Sequence, residues 1–313
     1  MISTTMKQPN NNLFQIDPSA EKIKITSFIN SVLKKQGFKN VVIGMSGGVD
    51  SAVCFYLLKE VLPPQNIIVA HLYYLDSQFR DIEPILKEVK VPKENIYEMS
   101  IEPLVKQFKA HLEGALRDAP SGASLRSPSR WRGTSEVQKR TRLRSSHLGG
   151  GSPEPVEGHD SSEVNRVRLG NIMTRIRMIL LYDLAKKHNA LVCGTENRSE
   201  YLLGYFTRFG DQASDFEPIQ HLYKTQVYEL ARFLGLPKNI IQKTPTAGLW
   251  HGQTDEGEFG FTYKEADIVL SYYYDKKLKL EEIKSMGFKN AEKIIAYSLK
   301  NAYKHHAPYT KNH

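Results

Sequence analysis

The segment that most constrains this chain is a short β-branched run, Val41-Val42-Ile43, that passes directly into Gly44-Met45-Ser46-Gly47-Gly48-Val49-Asp50-Ser51. Such a run reads as a short strand. Two adjacent glycines allow a tight turn, and a helix is expected from about Asp50 to Glu60, before Pro63-Pro64 ends it. An open parallel sheet presents turns of this kind to ligands at the carboxyl ends of its strands. The loop amides, the hydroxyls of Ser46 and Ser51, and the helix N-terminus can together hold phosphate oxygens. The plainer alternative is an ordinary strand-to-helix turn that Asp50 caps.

The same alternation continues along the chain. Asp17-Pro18 reads as an N-cap and first helical position, and Gly37 stops that first helix. Ile67 to Tyr74 and Asn95 to Met99 read as strands, Phe79 to Val89 and Pro103 to Leu116 as helices. After Asn165, Leu169, Ile172, Ile176, Ile179, Leu180 and Leu184 suggest one apolar face of a long helix. Ala190 to Gly194 follows as a strand, and Glu217 to Gln220 is a candidate fifth strand. Leu222 to Leu234, Tyr263 to Tyr274 and Lys289 to Tyr303 read as further helices. The expected fold class is α/β: a doubly wound, mostly parallel five-stranded sheet with helices on both faces and extra C-terminal helices.

The 313 residues are expected to form a single domain, preceded by a polar arm at 1–16 that does not read as a secretory signal. Residues 118–164 read as a disordered insertion. Its 121–150 part is basic and its 151–163 part acidic, and Trp131 is its lone aromatic. A nucleic-acid-binding arm is the rival reading of that stretch; without stacking aromatics it is the weaker one, so no nucleic-acid partner is expected. No run of eighteen or more apolar residues is present, so no membrane span is expected. Cys54 and Cys193 are the only cysteines, too few for a disulfide framework, which points to a reducing cytoplasm. The net charge of +9 allows an anionic partner without naming one.

The loop lacks the Gly-Lys-Ser/Thr ending of a Walker-type loop and carries Asp50 instead. A carboxylate beside a triphosphate is repulsive unless a divalent cation lies between them, which makes Asp50 a candidate Mg²⁺ ligand. Ser46-Gly47-Gly48-Val49-Asp50-Ser51 resembles the signature of the ATP pyrophosphatase (PP-loop) superfamily, whose members cleave ATP between its α and β phosphates. Later segments narrow the resemblance to ammonia-dependent NAD synthetases. They are Gly170 to Met178, Gly194-Thr195-Glu196-Asn197-Arg198-Ser199-Glu200, Leu203 to Asp211 continuing through Asp215 to Val227, Lys243 to Trp250, and Gly252 to Glu256. The family fold is adenine-nucleotide alpha-hydrolase-like.

The residues also make chemical sense singly. Asn171 and Arg175 share a helix face, and Arg175 offers a planar fork for carboxylate or phosphate, or else is a surface charge. Arg177, on a different face, reads as structural. Thr195 is a phosphate or adenine donor or a helix cap; Thr246 a phosphate contact or plain turn chemistry. Lys224 could neutralise departing pyrophosphate or be a surface lysine. By resemblance, Gly44, Met45, Ser46, Gly47, Gly48, Val49, Asp50, Ser51, Thr195, Lys224 and Thr246 belong to ATP. Asp50 and Glu200 belong to Mg²⁺, with Asp50 and Lys224 the catalytic pair. Arg175, Arg208, Asp215, Tyr303 and Lys304 belong to deamido-NAD. The chain departs from the family pattern at Arg208, Gln212, Ala213, Gly248, Tyr303 and His305.

The resemblance implies a ligase that adenylates the carboxylate of deamido-NAD with ATP and then exchanges AMP for ammonia. A homodimer is implied with it. Glutamine-using relatives carry an amidase domain with a reactive cysteine, and with about 35 residues before the first strand no such domain is expected. Two rivals stand beside this reading: another PP-loop enzyme, tRNA-modifying or GMP synthetase-like, and a non-catalytic nucleotide-binding relative.

Overall fold

The computed structural model describes residues 15–117 and 161–306. The arm at 1–16 falls almost wholly outside the described residues, as does nearly all of the 118–164 insertion. Backbone contacts divide the chain into a large unit, 1–105 with 170–313, and a small one, 106–169.

Among the described residues, the large unit is built around a parallel sheet of four strands: β1 (Asn40–Gly44), β2 (Ile67–Tyr73), β3 (Ile96–Ser100) and β4 (Ala190–Cys193), ordered β3-β2-β1-β4. The register pairs Val42 with Ile68 and with Val192, placing β1 centrally. The fifth strand is not at Glu217 to Gln220, which form a turn. Its place beside β4 is taken by Phe216, through a single parallel bridge to Cys193. The Gly194 amide donates to the Phe216 carbonyl and the Asp215 amide to the Val192 carbonyl, both at 2.9 Å. Pro218 has no amide to extend this ladder, which is why the pairing stops.

Alternate residues of β1 face opposite layers, as strand geometry requires. Val41 and Ile43 join a core built with α1 (Pro18–Gln36), α2 (Val49–Lys59) and α3 (Phe79–Val89), whereas Val42 joins Ile68, Val192, Leu184 and Ala185 on the other face. α2 is buried from Val49 through Leu58 save for the half-buried Asp50, because α1 and a later helix (Lys224–Phe233) cover the side turned away from the sheet. α1 starts as read: Asp17 accepts the amides of Ser19 and Ala20, and Gly37 ends it at φ +74°. The chain continues through α4 (Glu102–Arg117) and α5 (Ser161–His188). On α5 the expected apolar face is only partly buried. Ile179 is 59% exposed, and Met173, Leu181 and Ala185 do the packing alongside Leu184.

Past β4 come α6 (Arg198–Leu203), α7 (Lys224–Phe233), α8 (Lys238–Ile241), α9 (Asp255–Phe259), α10 (Tyr263–Leu270), α11 (Leu280–Ser285) and α12 (Ala291–Asn301). Leu202, Leu203, Tyr223, Phe259, Phe261, Tyr263, Val269, Leu270 and Ile294 form a second core among these C-terminal helices. One buried carboxylate ties it to the site. Asp267 on α10, fully buried, accepts from Ser199 Oγ at 2.5 Å, Thr225 N at 2.9 Å and Thr225 Oγ1 at 2.8 Å. It thereby fixes the first turns of α6 and α7 against each other. Asp267→Ala leaves these donors buried without an acceptor and is expected to cost about 2–4 kcal/mol. Denaturant unfolding checks this; a loss below about 0.5 kcal/mol would contradict it.

Candidate active site

The carboxyl ends of β1 and β4 lie side by side, and the turns that leave them build the site. After β1, Met45 is held from both directions: its amide donates to the Ala70 carbonyl at 2.9 Å, and its carbonyl accepts His71 Nδ1 at 2.7 Å. Gly47 adopts φ +79°, which makes the turn possible without strain. Ser46 Oγ accepts the Gly48 amide at 3.2 Å and lies 3.3 Å from Ser51 Oγ, which in turn donates to the Gly48 carbonyl. Gly48 is the N-cap of α2 and supplies no side chain there, so Asp50 does not cap the helix. Its carboxylate is directed elsewhere.

Asp50 meets Lys224, the first residue of α7, 2% exposed. The Lys224 ammonium lies 2.5 Å from Asp50 Oδ2 and 3.0 Å from Glu200 Oε1. Asn197 completes the set: its Nδ2 donates to Asp50 Oδ1 at 2.9 Å and its Oδ1 caps α6 through the Glu200 amide at 3.0 Å. The Lys224 amide donates to Ser199 Oγ, and its ammonium lies 5.2 Å from the ring centre of Tyr263. Burial pushes the Lys224 ammonium down, but Asp50 and then Glu200 more than reverse this and hold it charged. Burial raises Glu200 to about 8 against the pull of Lys224, with the Asp50 charge adding to the rise. One ammonium faces two carboxylates, and with Glu200 held up to about 8 the trio carries no excess negative charge at neutral pH until Glu200 gives up its proton. Removing one member of a buried group like this typically costs about 3–5 kcal/mol.

That donor set suits a hard divalent cation, whose charge would draw the proton off Glu200 and leave two convergent carboxylates to hold it. Among the described residues no group of three or more His, Cys, Asp or Glu side chains is arranged to hold a metal. The remaining ligands would therefore come from phosphate oxygens and water, as is usual for magnesium.

A second group lies where α5 meets the segment after α6. Arg175 donates to the Arg208 carbonyl at 3.2 Å, and Asn171 Oδ1 accepts Thr207 Oγ1 at 2.8 Å, so the shared helix face read from their spacing meets one segment. Arg208 donates to the His306 carbonyl, and Lys304 to the carbonyls of Gly204 and Phe206. Arg177 donates to the Leu72 carbonyl at 3.0 Å, a structural role as expected.

Other expected residues stand apart. Tyr303 is 56% exposed. Thr195 is half-buried just past β4, two residues before Asn197. Thr246 accepts the Gly248 amide at 3.1 Å, a turn contact. Gly248 has φ +62°, a left-handed backbone conformation that glycine adopts without strain. The Asp215 carboxylate accepts the Val192 amide at 2.7 Å and is engaged with the sheet edge.

Sequence reading missed Asn197 as a partner of Asp50, although Asn197-x-x-Glu200 is a legible capping box. It also missed a buried acid pair. Glu196 Oε2 accepts Gln220 at 2.9 Å, its Oε1 has no partner among the described residues, and its amide donates to Glu217 Oε2 at 3.0 Å. A Cβ on Gly194 would lie 1.8 Å from Glu217 Oε1, so any side chain there would displace that carboxylate. Burial raises Glu217 to about 7, against hydrogen bonds from Ser214 and the Glu196 amide. Because that value lies above the ordinary 4.5, the stability Glu217 contributes is complete below about pH 4.5 and lost as pH rises through about 7. The thermal midpoint of the ligand-free protein should fall across that window, and Glu217→Gln should flatten the fall. An unchanged slope in the variant would contradict the assignment.

A parallel α/β sheet whose first turn is a glycine-rich phosphate loop, backed by a buried acid–lysine trio, defines a nucleotide-binding protein of the PP-loop class. The NAD synthase family model matches residues 22–135 and 154–308. The chain is 37% identical over 260 residues to the NH3-dependent NAD synthetase of Thermococcus kodakarensis, covering 83% of this chain and 82% of that one. It is 35% identical over 283 residues to the Thermoplasma acidophilum NH3-dependent NAD synthetase, covering 88% and 96%. Its structure is similar to NMN synthetase from Francisella tularensis, with TM-score 0.68 and 27% identity over 96% of this chain and 100% of that one. The NH3-dependent NAD synthetase of Campylobacter jejuni gives TM-score 0.65 and 26% identity over 94% and 99%. The chain belongs to the NAD synthase family, ATP-binding ligases of NAD biosynthesis within the PP-loop superfamily.

Proposed function

We propose that the protein amidates deamido-NAD with free ammonia, consuming ATP and releasing AMP and pyrophosphate. The observation that carries the reading is Lys224 held between Asp50 and Glu200 directly behind the Ser46–Ser51 loop. A carboxylate resists ammonia because oxide is a very poor leaving group, so it has to be activated first. In this reading the loop amides and the hydroxyls of Ser46 and Ser51 bind the ATP phosphates, with Thr195 and Thr246 as further ATP contacts. Arg175, Arg208, Asp215, Tyr303 and Lys304 bind the dinucleotide and bring its nicotinate carboxylate to the α-phosphorus.

The carboxylate oxygen forms the new P–O bond and the α–β bridging bond breaks. Lys224 then stabilises the charge arriving on pyrophosphate. Asn197 keeps Asp50 turned toward Lys224 throughout. Asp50 and Glu200 would hold magnesium, which would supply neutralisation of the phosphate charge. Ammonia attacks the mixed anhydride, gives up a proton, and AMP leaves with its bonding electrons. No side-chain nucleophile is needed, and the rate comes from positioning and fixed charge.

The relatives named as NH3-dependent support ammonia as donor. So does the burial of Cys54 and Cys193 at 0% and 2%, which leaves neither exposed as an amidase nucleophile. The same reading makes the protein a cytoplasmic homodimer. The purified protein with ATP, Mg²⁺ and deamido-NAD is expected to form NAD, AMP and pyrophosphate with ammonium and not with glutamine. Glutamine-driven synthesis would overturn the choice of donor; nicotinate mononucleotide as the preferred acceptor would overturn the choice of substrate. Asp50→Asn is expected to lower kcat/KM by at least about 100-fold with the fold intact, since it removes an anionic group from the reacting site. Near-normal turnover of that variant at low Mg²⁺ would refute its role.

A further inference from the structure

The loop lacks the lysine of a Walker-type turn, yet a lysine from far along the chain stands against it. The position a Cβ would take on Gly47, the left-handed residue of the turn, lies 3.2 Å from Lys243 Nζ and 3.6 Å from Gln78 Oε1. Lys243 opens the Lys243-Thr244-Pro245-Thr246 segment, of which sequence reading singled out only Thr246. Its ammonium donates to Gln78 Oε1 and to Asp81 Oδ2, the latter at 2.9 Å. The Gln78 amide donates to His71 Nε2 at 3.2 Å, and His71 Nδ1 donates to the Met45 carbonyl at 2.7 Å. A continuous chain of contacts thus ties this ammonium to the backbone of the loop.

An ammonium has three donors. Gln78 and Asp81 take two, which leaves a third beside Gly47 in the turn. The two lysines also differ in kind: Lys224 is sealed behind the loop at 3% side-chain exposure, while Lys243 retains 22% and is open to a ligand. A partly exposed pair such as Lys243–Asp81 contributes little to stability, typically under about 1 kcal/mol. Structural support is therefore a weak reason for a cation at this spot.

We propose that Lys243 is a second phosphate-binding cation of the site, contacting the β and γ phosphates of ATP and the departing pyrophosphate, with Asp81 its counter-charge in the free protein. This rests on the reading of the loop as the ATP site. The Lys243 contact also anchors the segment carrying Thr246 at the loop, which gives that threonine a route to the same phosphates. The AMP portion of the nucleotide, by contrast, gains nothing from Lys243.

Calorimetric titration of the full chain and its variants with ATP, inorganic pyrophosphate and AMP, each with Mg²⁺, tests the assignment. Lys243→Ala is expected to weaken ATP and pyrophosphate binding by about 10- to 100-fold, the loss of one charge-assisted hydrogen bond, while AMP changes by less than about twofold. Lys243→Arg should recover most of the affinity. Asp81→Asn, which removes the competing charge, should tighten pyrophosphate binding. The proposal is overturned if Lys243→Ala binds ATP and pyrophosphate like the unaltered protein. It is equally overturned if Asp81→Asn weakens pyrophosphate binding as much as Lys243→Ala does, since the pair is then only a strap. An unaltered protein that binds neither ATP nor pyrophosphate removes the loop reading itself, and this assignment with it.

Discussion

The site depends on one buried ammonium shared by two carboxylates. Lys224 alone, at 2% exposure, would shed its proton or leave the interior. Asp50 and Glu200 alone would repel each other across the same space. Together they form a group that stays in place because each member answers the cost of burying another. A cation arriving with an anionic substrate would displace the proton that burial holds on Glu200 and so complete the balance of charge.

Everything around the trio serves to keep it assembled. β1 delivers Asp50 through a glycine turn that only a left-handed Gly47 permits, and β4 delivers Glu200 through the capped start of α6. α7 delivers Lys224 at its first position, where an ammonium gains nothing from the helix dipole and so relies on the carboxylates. The C-terminal core then clamps α6 to α7 through Asp267. The C-terminal helices are therefore part of the framework of the site, whereas the small unit at 106–169 contributes no residue to the trio.

Most of the sheet and the loop could be read from sequence because their signals are local. Val41-Val42-Ile43 before Gly47-Gly48 needs no partner to be recognised, and Asp17-Pro18 and Gly37 mark helix ends within a few residues. What could not be read depends on distant chain. The fifth position of the sheet is a single bridge at Phe216, set by β4 and stopped by Pro218, and no periodicity in Glu217 to Gln220 reveals that. Ile179 fits a helical repeat as well as Leu184 does, but only the approach of β1 and β4 decides which is buried. Among the site residues, Asp50, Glu200 and Lys224 meet in one ion-paired group, whereas Asp215 and Thr246 have their side chains engaged in the sheet edge and a turn. Asn197 and Lys243 escaped because their partners lie more than 140 residues away along the chain.

On this account the arrangement transfers the adenylyl group of ATP to a substrate carboxylate. Isotope tracing tests that directly: deamido-NAD labelled with ¹⁸O in its nicotinate carboxyl group is turned over with ATP, Mg²⁺ and ammonium, and the nucleotide product is examined by mass spectrometry. One labelled oxygen should appear in the phosphate of AMP for each NAD formed, because that oxygen bridges carbon and phosphorus before ammonia breaks the anhydride. Unlabelled AMP, or ADP as the nucleotide product, would contradict the account.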